Sequence, residues 1–101
     1  MFIYNITTQV EDRIHNEWLQ WQQQINIPAI MQTGCFQKFQ VNRLLQTGDE
    51  DGVTYTIQYF AKTKEDYEKY IHHFASKMLK AATEKWGDAF VAFNTIMQVV
   101  H

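Results

Sequence analysis

The sequence predicts a single α+β domain in which two helices pack on a four-stranded antiparallel sheet. Alternating hydrophobic residues, which are typical of strands, occur in four separate segments of the 101-residue chain. Two segments with a helical period of about 3.6 residues separate them, so the elements follow the order βαββαβ. A chain of this length is sufficient for one hydrophobic core. We therefore expect residues 1–101 to form one domain.

The first half of the chain predicts a strand followed by helical structure. Residues 2–8 are rich in β-branched and aromatic side chains, as strands are. Thr8 and Glu11 have capping-box spacing, which predicts that a helix begins there. The buried stripe expected for this helix consists of Val10, Ile14, Trp18, Trp21 and Ile25. Pro28 suits the first turn of a second, short helix, and Gly34 can terminate it in the left-handed conformation.

The second half predicts a hairpin, a long helix and a final strand. Strands over residues 35–46 and 53–60 flank a Gly- and Asp-rich segment that is typical of a turn. Thr63 and Asp66 repeat the capping-box spacing, and the helix behind them ends at Gly87. Its apolar stripe is predicted to contain Tyr67, Tyr70, Ile71, Phe74, Met78, Ala81 and Ala82. Residues 90–100 form the last predicted strand.

Both faces of the predicted sheet carry apolar side chains. The stronger face is expected to hold Phe2, Tyr4, Ile6, Phe39, Val41, Leu45, Val53, Tyr55, Ile57, Tyr59, Val91, Phe93, Met97 and Val99. The opposite, mixed face is expected to combine Ile3, Phe60, Phe90, Ala92 and Ile96 with Asn5, Gln58 and Asn94. Two helices can cover only one face of such a sheet. The mixed face suits packing against a second sheet, which predicts a homodimer.

Composition and charge exclude several classes of protein. Nine Lys and Arg residues against eleven Asp and Glu residues give a net charge of −2, so no basic surface is expected for nucleic acid or an anionic membrane. RNA-recognition motifs share the βαββαβ order, but residues 53–60 lack the basic residue and the glycine of that motif. No apolar run approaches the roughly 20 residues of a membrane span, and no signal peptide is visible. A single cysteine, Cys35, fits a reducing compartment, and we expect a cytoplasmic protein.

Five segments resemble an uncharacterised bacterial family, a domain of unknown function. They are residues 2–5, the Trp18/Trp21 helix that leads to residues 27–28, residues 31–36, residues 58–61 and residues 85–88. Such proteins look like members of the dimeric α+β barrel superfamily, in which two ferredoxin-like protomers pack their sheets face to face. The resemblance implies that fold and a homodimer but no reaction. Related barrels include cofactor-free monooxygenases, haem-degrading enzymes and small-ligand or sensory modules. Relatives often carry His at the position of Asn26.

The reactive side chains do not form a recognisable metal or cofactor site. His72 and His73 are adjacent and point about 100° apart on a helix, whereas paired ligands need a spacing of three or four residues. Residues 49–52 resemble a calcium loop only loosely, and a solvated hairpin turn explains them better. Ser76 lacks a nucleophile elbow, and Cys35 fits a buried structural thiol. We expect no metal and no cofactor.

A small-molecule pocket is the functional prediction. Asn5, Arg43, Gln58 and Asn94, one from each strand, would supply polar groups to an apolar wall, over which a tryptophan would stack. The predicted ligand-binding residues are Asn5, Trp18, Arg43, Tyr59 and Trp86. In the other interpretation, Arg43 pairs at the dimer rim and the amides satisfy sheet edges.

Two functions remain open from the sequence. The first is a homodimeric small-molecule-binding or interaction module that takes an apolar or aromatic ligand. The alternative is a cofactor-independent oxygenase or isomerase that uses the same cavity. An enzyme should place a titratable group with a perturbed pKa in the cavity, and His15 is the candidate imidazole.

Overall fold

A four-stranded antiparallel sheet forms one layer of the domain, and helices cover one of its faces. The computed structural model describes residues 1–45 and 52–101. The strands are β1 (Phe2–Val10), β2 (Lys38–Arg43), β3 (Val53–Ala61) and β4 (Phe90–Gln98), and they lie in the order β2-β3-β1-β4. The predicted ferredoxin-like α+β fold is confirmed. The predicted turn over residues 47–52 lies outside the described residues except for Gly52.

The helical layer consists of two segments. The first begins with a 3₁₀ turn (Asp12–Ile14) and continues through α1 (His15–Trp21), a π-helical turn (Gln22–Asn26) and α2 (Ile27–Met31). The second comprises α3 (Lys64–His73) and α4 (Ala75–Trp86), which are separated by a break at Phe74. No helix among the described residues is long and apolar enough to cross a membrane.

The two predicted capping boxes have opposite outcomes. The hydroxyl of Thr63 accepts a hydrogen bond of 3.2 Å from the backbone N–H of Asp66, so this cap of α3 is confirmed. The cap predicted at Thr8 is wrong, because β1 continues to Val10 and Thr8 pairs with Tyr55 of β3. Ladder hydrogen bonds to two neighbouring strands hold this segment in the sheet, and they override the local helix signal.

The core lies between the sheet and the helices. In the register of β1 and β3, Tyr4 lies opposite Tyr59 and Ile6 lies opposite Ile57. Buried and partly exposed residues alternate along β3, as expected for a strand with one covered face. The buried ones are Val53, Tyr55, Ile57, Tyr59 and Ala61. Phe36 packs against Tyr59 and Tyr70, with ring centroids 5.2 and 5.0 Å away.

The faces of β4 are the reverse of those predicted. Tyr4 lies opposite Ile96, and Thr7 lies opposite Phe93. Ile96 therefore lies on the helix side of the sheet together with Tyr4, whereas the more apolar residues of β4 lie on the other, open face. The helices do not cover β4 itself, since its residues from Val91 to Gln98 are exposed on both sides. We call the apolar residues of the open face, together with one that follows the end of the strand, the open-face stripe: Val91, Phe93 and Met97 of β4, and Val99. The sequence pattern ranks the two faces of a strand by polarity, but only the register with β1 decides which face meets the helices.

Candidate functional site

A cavity of about 510 Å³ lies between the sheet and both helical segments. Its volume is within the range of small-molecule sites, which is roughly 300–1,000 Å³. Its walls are formed by three residues of β1, by the first helical segment, by α3 and α4, and by β4. The lining residues are Tyr4, Ile6, Thr8, Trp18, Gln22, Asn26, Ile30, Tyr67, Tyr70, Ile71, Ala75, Ser76, Met78, Leu79, Ala82, Phe90, Ala92, Phe93 and Asn94.

The first helical segment contributes one residue from each of four successive turns. Trp18, Gln22, Asn26 and Ile30 are four residues apart and all line the cavity. Over four residues an α-helix runs about 40° past a full turn, so this spacing would drift around a regular helix. The π-helical turn has more residues in each turn and offsets this drift. The π-turn therefore keeps the four side chains on one face.

The same π-turn explains why the predicted stripe of this helix is partly wrong. Trp18 and Trp21 are buried as expected, but Ile25 is 58% exposed. Gln22, which the helical period places beside the stripe, is instead buried and 6% exposed. A change in helical period within the segment rotates Ile25 away from the core and brings Gln22 into it.

Three tyrosines form the aromatic end of the cavity. The ring of Tyr4 on β1 lies 5.5 Å from that of Tyr70 and 5.8 Å from that of Tyr67, both on α3. The tilted geometry, with interplanar angles of 49° and 52°, is typical of packed aromatic pairs. The side chain of Asn94 on β4 hydrogen-bonds with Tyr4. The cavity therefore combines aromatic faces with phenol and amide groups.

The phenols of Tyr4 and Tyr70 remain protonated at neutral pH. Burial raises the pKa of Tyr4, and the nearby phenol of Tyr67 raises it further, whereas the hydrogen bond with Asn94 lowers it. Burial also raises the pKa of Tyr70 well above its ordinary value, and Tyr4 and Cys35 add to this effect. A protonated phenol donates a hydrogen bond but does not act as a base. Tyr4 and Tyr70 can therefore bind an acceptor on a ligand.

No Asp, Glu, Lys, Arg, His or Cys is found among the described residues that line the cavity. His15, the imidazole predicted for an enzyme, does not line it. Its Nδ1 atom lies 3.3 Å from the hydroxyl of Tyr55, and its Nε2 atom lies 3.8 Å from a carboxylate oxygen of Asp12. Tyr55 in turn stacks on Trp18, with ring centroids 5.5 Å apart. His15 thus supports the wall behind Trp18.

The sequence profile of one protein family, described as a domain of unknown function (DUF4286), matches residues 1–100. The chain belongs to the DUF4286 family. This assignment confirms the predicted resemblance to a domain of unknown function over essentially the whole chain. No curated protein sequence matches the chain.

Solved structures share the fold of this DUF4286 domain at low sequence identity. Two dimeric ferredoxin-like proteins from uncultured marine organisms superimpose with TM-scores of 0.74 and 0.72, at 12% and 13% identity. The first match covers 100% of this chain and 96% of the other, and the second covers 99% and 95%. SnoaB from Streptomyces nogalater, a cofactor-independent oxygenase, has a TM-score of 0.67 at 9% identity, with 99% and 94% covered. At this level of identity the likeness shows a shared fold, and two of the three proteins are described as dimeric ferredoxin-like proteins.

The structure does not bring the five predicted ligand-binding residues together. Trp18 lines the cavity, but Asn5 lies on the open face of β1, because Tyr4 and Ile6 on either side of it point to the helices. Arg43 is exposed at the end of β2 and does not line the cavity. Tyr59 is fully buried in the core. Trp86 packs edge-on against Trp21, with ring centroids 5.9 Å apart.

The four strand residues predicted to share a wall are also divided between the two faces. Asn5 lies opposite Gln58 on the open face, whereas Asn94 lies opposite Ile6 and lines the cavity. Asn5 donates a hydrogen bond of 3.1 Å to the hydroxyl of Thr7. Side chains alternate along a strand, so a residue's face depends on a register that the sequence does not specify.

The sequence-based prediction of the pocket missed most of its lining, including the three tyrosines and two amide residues, Gln22 and Asn26. The run of three glutamines beside Trp21 was the available signal, because a glutamine next to a buried aromatic stripe is a candidate for partial burial. Among the described residues, no group of three or more His, Cys, Asp or Glu side chains is placed to hold a metal ion. The absence of a metal or cofactor stays a prediction.

Proposed function

We propose that this protein is a homodimeric small-molecule-binding module whose cavity takes a neutral, largely aromatic ligand. The observation that carries the proposal is the uncharged, aromatic lining of the 510 Å³ cavity, in which amide and phenol groups supply the polar contacts. The buried free thiol of Cys35 fits a reducing, cytoplasmic location for the protein.

The open-face stripe supports the homodimer. Val91 and Phe93 are 69% and 62% exposed, and Met97 and Val99 lie further along the same face. Large apolar side chains in a row on an uncovered sheet face are typical of an interface. A second copy of the chain is the occupant that the fold suggests, because structural neighbours of this domain are described as dimeric ferredoxin-like proteins.

Apolar burial should supply most of the ligand affinity. Each Å² of apolar surface removed from water contributes roughly 25 cal/mol, and association entropy offsets part of this gain. A planar molecule of two fused rings should therefore bind at about micromolar strength. A carboxylate should bind less well than its neutral analogue, because the lining offers no cation to replace the water lost by the charge.

Binding of N-phenylnaphthylamine, a neutral dye that fluoresces in apolar sites, tests the proposal. Ala82 on α4 lines the cavity, whereas its neighbour Ala81 is exposed and does not. Ala82→Phe should fill the cavity and weaken dye binding by about tenfold or more, while Ala81→Phe should change it less than about twofold. Equal affinities of the two variants, with both folded by circular dichroism, would contradict a ligand site in this cavity.

Trp18 provides an internal reporter of occupancy. Among the described residues that line the cavity it is the only tryptophan, since Trp21 and Trp86 pack on each other outside it. A bound ligand should therefore quench the Trp18 emission. Trp18→Phe should remove most of the quenching, and Trp86→Phe should preserve it.

An oxygenase or isomerase that acts in the same cavity is the alternative function. The observation that favours it is the pair of Tyr4 and Tyr70, with ring centroids 5.5 Å apart, because protonated phenols can stabilise an oxyanion on a substrate. Oxygen uptake with a panel of naphthols and hydroquinones, together with chromatography of the recovered compounds to detect isomerised product, distinguishes the two functions. Catalytic uptake or isomerisation that Tyr4→Phe and Tyr70→Phe abolish would establish the enzyme, and binding without turnover supports the module.

A further inference from the structure

Two amide side chains on the π-helical turn are bonded to each other inside the cavity wall. The Nδ2 atom of Asn26 donates a hydrogen bond of 2.9 Å to the Oε1 atom of Gln22. Both residues line the cavity, and Gln22 is more than nine-tenths buried although its side chain ends in a polar amide. Trp18 lies one turn before the pair and Ile30 one turn after it.

This single bond uses only part of the hydrogen-bonding capacity of the pair. A side-chain amide offers two N–H donors and a carbonyl acceptor. Among the described residues, the NH₂ group of Gln22 and the Oδ1 atom of Asn26 have no hydrogen-bond partner. Neither atom is among the fully buried side-chain atoms that lack a partner, so both are accessible rather than sealed in the core. The pair therefore leaves one donor group and one acceptor available to the contents of the cavity.

We propose that Gln22 and Asn26 determine the specificity of the cavity for a neutral planar ligand that carries an acceptor and a donor on one edge, as a lactam does. The ligand carbonyl accepts from Nε2 of Gln22, and the ligand N–H donates to Oδ1 of Asn26. The rings contact Trp18 and Ile30 on the adjacent turns. This inference rests on the proposed function, since it names the ligand class of the same cavity.

The matched ligands isocarbostyril, a bicyclic lactam, and N-methylisocarbostyril test the inference. They have the same ring system, but the methyl group removes the N–H donor. Isothermal titration with the wild-type protein should show about tenfold tighter binding of isocarbostyril, which is the effect of one neutral hydrogen bond together with an acceptor left unpaired. Equal affinities would overturn the inference.

The matched variants are Gln22→Met, which keeps the side-chain length but removes the amide, and Gln23→Met on the exposed neighbouring position. Gln22→Met should weaken isocarbostyril binding about tenfold and leave binding of N-phenylnaphthylamine within about threefold, because the dye depends on apolar contacts. Gln23→Met should alter neither. If Gln22→Met fails to fold, the comparison of the two ligands on the wild type decides the question.

The outcomes separate this inference from the proposed function. Dye binding without preference for the lactam over its methyl derivative leaves the cavity as a ligand site and refutes the role of Gln22 and Asn26. Failure of the dye and of both lactams to bind refutes the proposed function and the inference together. Preferential lactam binding that Gln22→Met abolishes supports both.

Discussion

At the scale of single residues, the hydroxyl group of Tyr59 makes no contribution to hydrogen bonding in the core of the described residues. It is buried without a hydrogen-bond partner among them. Tyr59→Phe should therefore leave the free energy of unfolding unchanged or raise it by about 1 kcal/mol, since a lone buried polar group is unfavourable. Tyr55→Phe should lower it by about 1 kcal/mol, because it removes the contact with His15. Urea unfolding measures both, and a larger loss for Tyr59→Phe than for Tyr55→Phe would contradict the prediction.

The buried phenols of Tyr59 and Tyr70 should make the folded protein less stable at alkaline pH. Burial raises the pKa of Tyr59 and Tyr70 above the value of about 10 expected in the unfolded chain. Above that pH the unfolded state releases protons that the folded state retains, so stability is full below about pH 10 and falls as pH rises toward the raised pKa values. Melting temperatures across this range measure the effect, and Tyr59→Phe should make the slope shallower. An equal slope in wild type and variant would contradict a contribution from Tyr59.

Individual site residues were most readily predictable where they lie on the core stripe of a helix, although Asn94 of β4 was also expected in the pocket and lines the cavity. Trp18 meets this condition, because its burial follows from the helical period and its place in the lining follows from its burial. Asn5 and Arg43 were chosen from strands, where a shift of one residue exchanges the two faces. Gln22 was missed because its burial depends on the π-helical turn, which the hydrophobic pattern does not encode.

At the scale of secondary-structure elements, Gly52 sets how closely the start of β3 can approach the end of β1. Its φ of +140° is rare for other residues, and a Cβ atom there would overlap the backbone carbonyl of Val10. Gly52→Ala should lower the free energy of unfolding by about 2 kcal/mol or more, because backbone atoms cannot move aside easily. Gly34→Ala is the matched control: its φ is +78°, but nothing lies within 4 Å, so about 1 kcal/mol is expected. Equal chemical denaturation midpoints for the two variants would contradict the steric argument.

The strands and helices themselves were largely predictable, whereas their faces and interruptions were not. Hydrophobic period and the cap at Thr63 identified the order of the elements and the start of α3. The hydrophobic pattern did not predict the break at Phe74 between α3 and α4, since the apolar stripe continues across it. β4 was placed with the wrong face inward because its more apolar side lies on the uncovered face of the sheet. A strand that takes part in an interface can be more apolar outside than inside.

At the scale of the whole molecule, the two faces of the sheet differ in the side chains that they present. The helix-covered face, with Tyr4 and Asn94, borders the cavity, whereas the open face carries polar side chains at its centre and the open-face stripe at one edge. Phe93 belongs to the stripe and also borders the cavity. A second copy packed on the stripe would therefore lie beside the cavity and limit its access to solvent.

The assembly of the whole molecule is tested by a pair of neighbouring substitutions on β4. Met97 belongs to the open-face stripe, and Ile96 faces the helices. Met97→Lys should place an unpaired charge in the dimer interface at a cost of several kcal/mol, which is enough to give monomers at micromolar concentration. Ile96→Lys should preserve the dimer, because Ile96 is 44% exposed on the helix side and a lysine there can extend its ammonium group into water.

Sedimentation velocity across a range of concentrations measures the result, with circular dichroism as the check that each variant is folded. The open face is the interface if the wild type and Ile96→Lys sediment as dimers while Met97→Lys sediments as a monomer. A monomeric wild type would refute the homodimer. If Ile96→Lys alone dissociates, the subunits associate through the helix side of β4, and the argument from the open-face stripe fails even though the protein is a dimer.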